Sequence, residues 1–307
     1  MTVPKVKATT VQQIKQQVAN TANNAGIPPF WITDWLLYVL DKPSLFLLTD
    51  DSYQLADTEF EQFNIGVTKM LQGIPLAYLT GRQKFWSLDF MVNEHTLIPR
   101  PDTEVLVEQV LLWIKAQDGV EINNNGTITQ SYAINNKRLL DLGTGSGCIA
   151  ISLAHELSKA SWQVVAVDFS AEALKVAQYN AELNKIDNIE LVQSSWYSEL
   201  STEATQLFDI IVSNPPYIDE ADEHLTGLLA EPISALSAPN QGLADIEHIV
   251  EYAPQYLYSD GLLAVEHGFD QGAAVRQLFL NNGFAAIQTI QDFGGNERVT
   301  LGQIKAL

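Results

Sequence analysis

Four short stretches of this chain carry residue types that could do chemistry, and each follows an apolar run that reads as a strand. The first is Asp141-Leu-Gly-Thr-Gly-Ser-Gly147, where Gly143, Thr144, Gly145, Ser146 and Gly147 form a turn that can approach a ligand closely before a helix starts. A dinucleotide fingerprint would need a third glycine at position 148, which is Cys148, and no Lys-Ser/Thr pair follows to make a phosphate loop. A tight packing turn is the structural alternative. The second is Asp168, about 20 residues further on, where an acid can accept both hydroxyls of a ribose. Asp168 could instead cap the following helix, but Ser170 is as good a cap. The third is Ser194-Ser195-Trp196, whose indole either covers a nucleobase or belongs to the core. The fourth is Ser213-Asn214-Pro215-Pro216-Tyr217-Ile218-Asp219. Two prolines remove two donors and fix two φ angles, so this turn is stiff. It either reverses the chain or holds an amide and a phenol in fixed relation to something bound.

The elements that must position these stretches alternate. Strands are expected at 138–142, 163–167, 189–193, 208–212, 261–266, 285–291 and 298–304. Helices are expected at 148–159, 171–184, 246–257 and 272–282. This is an α/β pattern: a seven-stranded, mostly parallel, Rossmann-like sheet with helices on both faces, closed by a hairpin that puts one antiparallel strand at an edge. Ligands of such sheets bind beyond the carboxyl ends of the strands. All four stretches lie there.

Upstream, residues 10 to about 75 read as helical, with Val11, Ile14 and Val18 on one face, a buried helix at 31–40 and an amphipathic one at 59–71. Gly73 and Pro75 stop the last of these. Lys84–Val92 reads as a hairpin, and Pro101 and Asp102 open a helix over 103–115. Residues 118–136, polar and rich in Asn, read as a surface loop or insertion. The expected organisation is therefore a helical domain over 1–75, a hairpin linker over 76–98, and a catalytic domain over 99–307.

Composition narrows the partners. With 37 acidic against 17 basic residues the formal net charge is −20. Duplex nucleic acid demands clustered Lys and Arg, which the chain lacks, so no direct nucleic-acid binding is expected. No apolar run of about 18 residues and no secretory signal core are visible, so neither a membrane span nor export is expected and the compartment reads as cytoplasmic. One cysteine, Cys148, excludes an intrachain disulfide and a cysteine metal cluster, and it reads as a small buried filler. The five histidines show no metal-ligand spacing; His248 and His267 read as structural, and no metal is expected.

Asp141–Gly147, Asp168 and Asn214-Pro-Pro-Tyr217 together resemble the class I, S-adenosylmethionine-dependent methyltransferases of planar nitrogens. The Asn-Pro-Pro-Tyr tetrad is shared by adenine-N6 DNA and glutamine-N5 protein methyltransferases and does not choose between them. Gly73-Ile-Pro-Leu-Ala-Tyr-Leu-Thr-Gly81, Phe85-Trp86, Leu97-Ile-Pro-Arg-Pro-Asp-Thr-Glu104, Glu266-His-Gly268 and Asn296-Glu-Arg-Val-Thr-Leu-Gly302 narrow the choice. Over nearly its whole length the chain is similar to the bacterial peptide chain release factor glutamine-N5 methyltransferases.

That resemblance implies a class I methyltransferase fold, with the helical domain recognising the substrate. The cofactor is S-adenosylmethionine, leaving as S-adenosylhomocysteine, and the acceptor is the glutamine of the Gly-Gly-Gln loop of class 1 release factors. Gly143, Thr144, Gly145, Ser146, Gly147, Asp168, Trp196 and Asn214 are the cofactor residues it implies. Asn214, Pro215 and Tyr217 are catalytic, and with Pro216 they bind the substrate. An amide nitrogen is a poor nucleophile because its lone pair is delocalised into the carbonyl. By analogy the Asn214 oxygen and the Pro215 carbonyl each accept one substrate N–H, which orients the nitrogen and stabilises its developing charge. Tyr217 packs on the flat amide and faces the sulfonium.

The alternatives are a glutamine methyltransferase of a ribosomal protein, whose counterpart of Pro99–Glu104 reads differently, an adenine-N6 DNA methyltransferase, and a non-catalytic cofactor-binding assembly partner. An intact Asn214 and Tyr217 oppose the last. Three departures from the family stand out: Ser195 where Asp is frequent, a shortened lead of Leu228-Leu-Ala230 into Glu231-Pro232, and the long Asn-rich segment. Arg100 is expected to pair with Asp102 or Glu104, or to shape the cofactor pocket.

Overall fold

The central expected strands carry runs of consecutive apolar residues, Val164–Val167, Ile210–Val212 and Leu262–Val265, as a sheet covered on both faces requires, and the chain folds accordingly. The computed structural model describes residues 9–25, 27–117, 120–122, 128–130, 137–158 and 161–305. The N-terminal stretch 1–8, Asn123–Gly126 and the expected helix end at Lys159 lie outside the described residues. The chain divides into two compact units, residues 1–82 with 227–230, and residues 83–226 with 231–307.

The smaller unit is helical: α1 (Val11–Ala25), α2 (Pro29–Leu40), α3 (Phe46–Thr49), α4 (Asp57–Leu71) and α5 (Leu76–Thr80). Val11, Ile14 and Val18 of α1 meet Ile32, Trp35, Leu36 and Leu40 of α2 and Phe63, Val67 and Met70 of α4 in one core. Glu59 accepts the Ala56 N–H at 2.8 Å and so closes the start of α4. The Trp35 indole donates to the Phe63 carbonyl at 3.0 Å, satisfying its one polar atom inside the core.

The larger unit begins with a hairpin, β1 (Arg82–Phe85) and β2 (Leu88–Met91), then a 3-10 turn over Pro101–Thr103 leads into α6 (Glu104–Gln117). Two short antiparallel strands, β3 (Val120–Ile122) and β4 (Ile128–Gln130), stand where a loop was expected. Then β5 (Lys137–Leu142), α7 (Cys148–Glu156), β6 (Trp162–Asp168), α8 (Ala171–Leu183), β7 (Ile189–Gln193) and β8 (Phe208–Ser213) alternate. A parallel pair, β9 (Ile218–Asp219) and β10 (Ser237–Ala238), brackets the next loop. The unit ends with α9 (Ala244–Tyr252), β11 (Leu257–Glu266), α10 (Gly272–Asn281), β12 (Phe284–Gln291) and β13 (Glu297–Ile304).

Seven strands form one sheet in the order β12-β13-β11-β8-β5-β6-β7. Only β13 runs against the others, and it sits between β11 and β12, so the expected antiparallel edge strand is in fact second from the edge. The final hairpin inserts its returning strand inward, which lets β13 pair on both sides. β11 also starts at Leu257, inside the expected helix, through an irregular register between Leu257 and Leu262. Leu139, Val164, Ile210 and Leu262 pack with α6 and α7 on one face, while Leu140, Val165, Ile211 and Leu263 pack with α9 and α10 on the other. Each such buried side chain contributes about 1.5–3 kcal/mol. The chain moves outward from β5 through β6 to β7, then returns to place β8 on the other side of β5. Between the carboxyl ends of β5 and β8 lies the switch point of the sheet.

Candidate functional site

A cavity of about 500 Å³ opens at that switch point. Its wall takes Gly143, Thr144, Gly145 and Ser146 from the turn after β5, Asp168 from the end of β6, Trp196 after β7, and Asn214 and Pro216 after β8. Four stretches separated by up to about 70 residues thus converge on one space, of the size that binds a small molecule. Gly147, Pro215 and Tyr217 are outside its lining. Gly147 serves the turn itself: its φ is +81°, and a Cβ there would lie 2.7 Å from Ile151 and 3.2 Å from Ala177.

The wall formed by the glycine turn and Asp168 is held by its own backbone. Asp168 accepts the Gly145 N–H through Oδ2 and the Ser170 N–H through Oδ1, both at 2.8 Å. Burial raises its pKa, opposed by those two hydrogen bonds. Ser170, not Asp168, caps α8, its hydroxyl accepting the Ala173 N–H at 3.2 Å. Behind the loop Asp141 is fully buried, and desolvation lifts it to about 7 although the Thr144 hydroxyl donates to it at 2.6 Å. Gly145 has φ +56° and nothing within 4 Å of where a Cβ would stand. That open cradle, beside a carboxylate fixed by amides, fits a ribose-bearing ligand.

Trp196 adopts φ +50°, and its ring edge lies 3.3 Å from the Cβ position of Gly143, so the indole borders the floor of the glycine turn. Asp245 hydrogen-bonds the Trp196 side chain, and burial raises its pKa.

The other wall centres on Asn214. Its Nδ2 donates to the Thr103 hydroxyl at 3.3 Å, and its Oδ1 is buried without a partner among the described residues. A buried amide oxygen left unpaired costs about 1–3 kcal/mol unless a ligand N–H fills it. Pro216 joins the lining beside it. Tyr217 lies just behind, its hydroxyl 3.4 Å from Glu266 Oε1 and its carbonyl accepting Gln271 Nε2 at 2.9 Å. Burial and the Glu266 charge raise the Tyr217 pKa, so it is a neutral phenol.

Several residues that hold the site carry no such signal in sequence. Arg100 pairs with Glu231 and with neither Asp102 nor Glu104, because the buried Glu231 carboxylate lies across from it and also accepts the Ile98 N–H at 3.0 Å. Asn180 ties the glycine turn to the hairpin, donating to the Ser146 carbonyl at 2.8 Å while accepting the Met91 N–H at 2.7 Å. His267 is structural as expected, buried with Nε2 at 2.8 Å from the Thr300 hydroxyl. Cys148 is buried and its thiol is pushed up to about 12 by desolvation. Among the described residues no cluster could hold a metal ion, and no helix is long and apolar enough to cross a membrane.

Residues 127–294 match the model of the methyltransferase small domain, and residues 17–81 match that of the PrmC N-terminal domain. The release factor glutamine methyltransferase of Escherichia coli is 43% identical over 270 residues, covering 87% of this chain and 89% of its own length. That of Shewanella oneidensis is 40% identical over 270 residues, with coverage of 87% and 86%. Among solved structures, the hMettl16 catalytic domain in complex with MAT2A 3'UTR hairpin 6 superposes with a TM-score of 0.51 at 17% identity, covering 75% of this chain and 80% of that one. At that identity the likeness concerns the fold alone.

Proposed function

Because this chain belongs to the release factor glutamine methyltransferase family, we propose that it methylates the side-chain amide nitrogen, N5, of the glutamine in the Gly-Gly-Gln motif of class 1 peptide chain release factors, using S-adenosylmethionine. The observation that carries the reading is the unpaired, buried Asn214 Oδ1 on the wall of a cavity whose opposite wall suits a nucleoside. S-adenosylmethionine, when bound, supplies an electrophilic methyl group on a sulfonium.

The chain's own residues do the rest. Asp168 and the turn from Gly143 to Ser146, shaped by Gly147 behind it, would hold the ribose, with Trp196 beside the base. Asn214 Oδ1 and the Pro215 carbonyl each accept one N–H of the glutamine amide. Those two bonds fix the nitrogen in line for attack and favour the positive charge it gains. Pro216 shapes the same wall, and the neutral Tyr217 ring backs the amide. No general base is needed first, because the nitrogen becomes acidic only as it takes the methyl.

The partner is a protein loop, consistent with a net charge of −20 that disfavours nucleic acid. The helical unit grips the release factor: Phe30, Leu45 and Leu48 are large apolar side chains left exposed on it. Replacing Phe30 and Leu48 by Ser should raise KM for the release factor and leave the Kd for S-adenosylhomocysteine in place.

Intact-peptide mass spectrometry after incubation with cofactor and an unmodified release factor tests the reaction. One added methyl on the Gly-Gly-Gln glutamine is the expected result. An unmodified glutamine, with cofactor binding intact, would turn the assignment to another glutamine-bearing protein.

A further inference from the structure

One glutamine ties the loop after β8, which carries Asn214 to Tyr217, to two turns that the transfer chemistry does not use. Gln271 stands at the root of α10, where its own N–H donates to the Gly268 carbonyl and its carbonyl accepts the Val275 N–H, both at 3.0 Å. Its side-chain amide makes three bonds, all to backbone. Oε1 accepts the Gly268 N–H at 2.8 Å, while Nε2 donates to the Tyr217 carbonyl at 2.9 Å and to the Gln241 carbonyl at 3.0 Å. Backbone N–H groups only donate and carbonyls only accept, so these partners admit one flip of the amide.

The far edge of the same peptide unit is fastened too. The Ile218 N–H donates to the Leu236 carbonyl at 3.0 Å, so the unit joining Tyr217 to Ile218 is held at both its C=O and its N–H. Upstream, Pro215 and Pro216 fix their own φ angles. The Tyr217 hydroxyl, by contrast, meets Glu266 Oε1 at 3.4 Å, longer than an ordinary O–H···O bond. The phenol is therefore directed by its backbone more than by its hydroxyl. Space at the carbonyl is closed as well: a Cβ on Gly242 would stand 2.0 Å from the Tyr217 oxygen and 2.9 Å from Gln271 Nε2. A glycine there leaves the gap through which the amide reaches the carbonyl.

Resting on the reaction proposed above, we propose that Gln271 is a positioning residue for methyl transfer: acting through the Tyr217 carbonyl, it sets the direction of the phenol ring against the glutamine amide. None of its three side-chain partners belongs to the cavity lining, so the cofactor's seat is spared when it is changed.

The test compares the parent with Gln271→Met and Gln271→Glu, using unmodified release factor as acceptor and S-adenosylhomocysteine as the binding probe. Gln271→Met keeps the length of the side chain and removes all three bonds. Its kcat should fall by about tenfold, with Kd for the probe within about threefold. Gln271→Glu supplies a readout that packing alone would not move. Ionised, the introduced carboxylate has no hydrogen for the Tyr217 carbonyl. Protonated, it donates one O–H there while its other oxygen still accepts from Gly268. The ratio of its kcat to the parent's should therefore rise as the pH falls through the pKa of the introduced acid, since the parent's amide does not titrate. In protein labelled with 3-fluorotyrosine, the Tyr217 resonance, assigned by its loss in Tyr217→Phe, should be single in the parent and broadened or doubled in Gln271→Met. Parental kcat with an unaltered Tyr217 resonance in Gln271→Met overturns the proposal. So does a kcat ratio for Gln271→Glu that stays flat with pH, or a probe Kd that weakens as much as kcat falls. A parent that methylates no release factor overturns the proposed reaction instead, and the Tyr217 resonance then decides the positioning role without reference to turnover.

Discussion

The two walls of the cavity are finished differently. On the glycine-turn side, both Asp168 oxygens are engaged by backbone amides at 2.8 Å and the Thr144 hydroxyl closes on Asp141. On the Asn214 side, a buried amide oxygen is left open. A lining carboxylate engaged on both oxygens in advance is a rigid seat, shaped before the ligand arrives; Asp141 Oδ1, buried without a partner among the described residues, lies behind the turn and outside the lining. A wall with an unfilled acceptor stores a cost of about 1–3 kcal/mol that only an incoming N–H relieves. Under the proposed function, cofactor affinity is accordingly assigned to the first wall and turnover to the second.

Removing the open acceptor is the hardest strike at that distinction. Asn214→Ala should cut kcat by about 10³-fold, the scale of losing one group that meets developing charge. The Kd for S-adenosylhomocysteine should stay within a few-fold, and thermal stability should fall only slightly, since the deleted oxygen had no partner among the described residues and the one bond lost is that from Nδ2 to Thr103. Stopped-flow transfer and calorimetric titration together check this. Parallel losses in rate and affinity would show that the walls are one functional unit. The converse strike is Asp168→Ala, which removes the carboxylate and frees the Gly145 and Ser170 amides. Probe affinity should weaken by about 10²-fold, as two charged hydrogen bonds imply, while kcat at saturating cofactor stays near the parent. Unchanged affinity would refute the ribose assignment.

How much of this was legible beforehand follows from the range of each interaction. Strand ends were visible because period and turn chemistry are local: Asp168, Trp196 and Asn214 each follow an apolar run, and all three reach the cavity. The partners that aim them were hidden, because Thr103 is 111 residues from Asn214 and Glu231 is 131 from Arg100. Arg100 has two acids within four residues, and local spacing favoured those over the distant one that it meets. Likewise the final hairpin was readable as a hairpin, but which of its strands pairs with β11 is decided by tertiary packing. Tyr217 and Gly147 were legible as motif members, while their places behind the lining depend on how the loops stack.

Smaller effects sharpen the contrast. Gly242 has φ +78°, and a Cβ there would stand 2.0 Å from the Tyr217 carbonyl oxygen. Gly242→Ala must displace that backbone as well as strain its own, at about 2 kcal/mol of stability. A lowered Tm with reduced kcat and a spared probe Kd is expected, since the displaced segment belongs to the acceptor side. Loss of probe affinity alone would place Tyr217 on the wrong wall.

Glu231 is the exception that bounds the comparison, because it braces the lining as a whole. It accepts the Ile98 N–H and pairs with Arg100, so it joins the stretch carrying Leu97, Pro99 and Arg100 to the one carrying Pro232, Ser234 and Ala235, all in the lining. Glu231→Gln keeps an acceptor for Ile98 and weakens only the ion pair. The Arg100 side chain is 37% exposed, so water already screens that pair, and about 1 kcal/mol of stability is the expected loss. Neither wall is touched directly, so KM for the release factor and Kd for the probe should rise together by a small factor. A calorimetric titration beside steady-state rates reads both. A rise confined to one of them would assign the brace to a single wall and make it part of the division it otherwise spans.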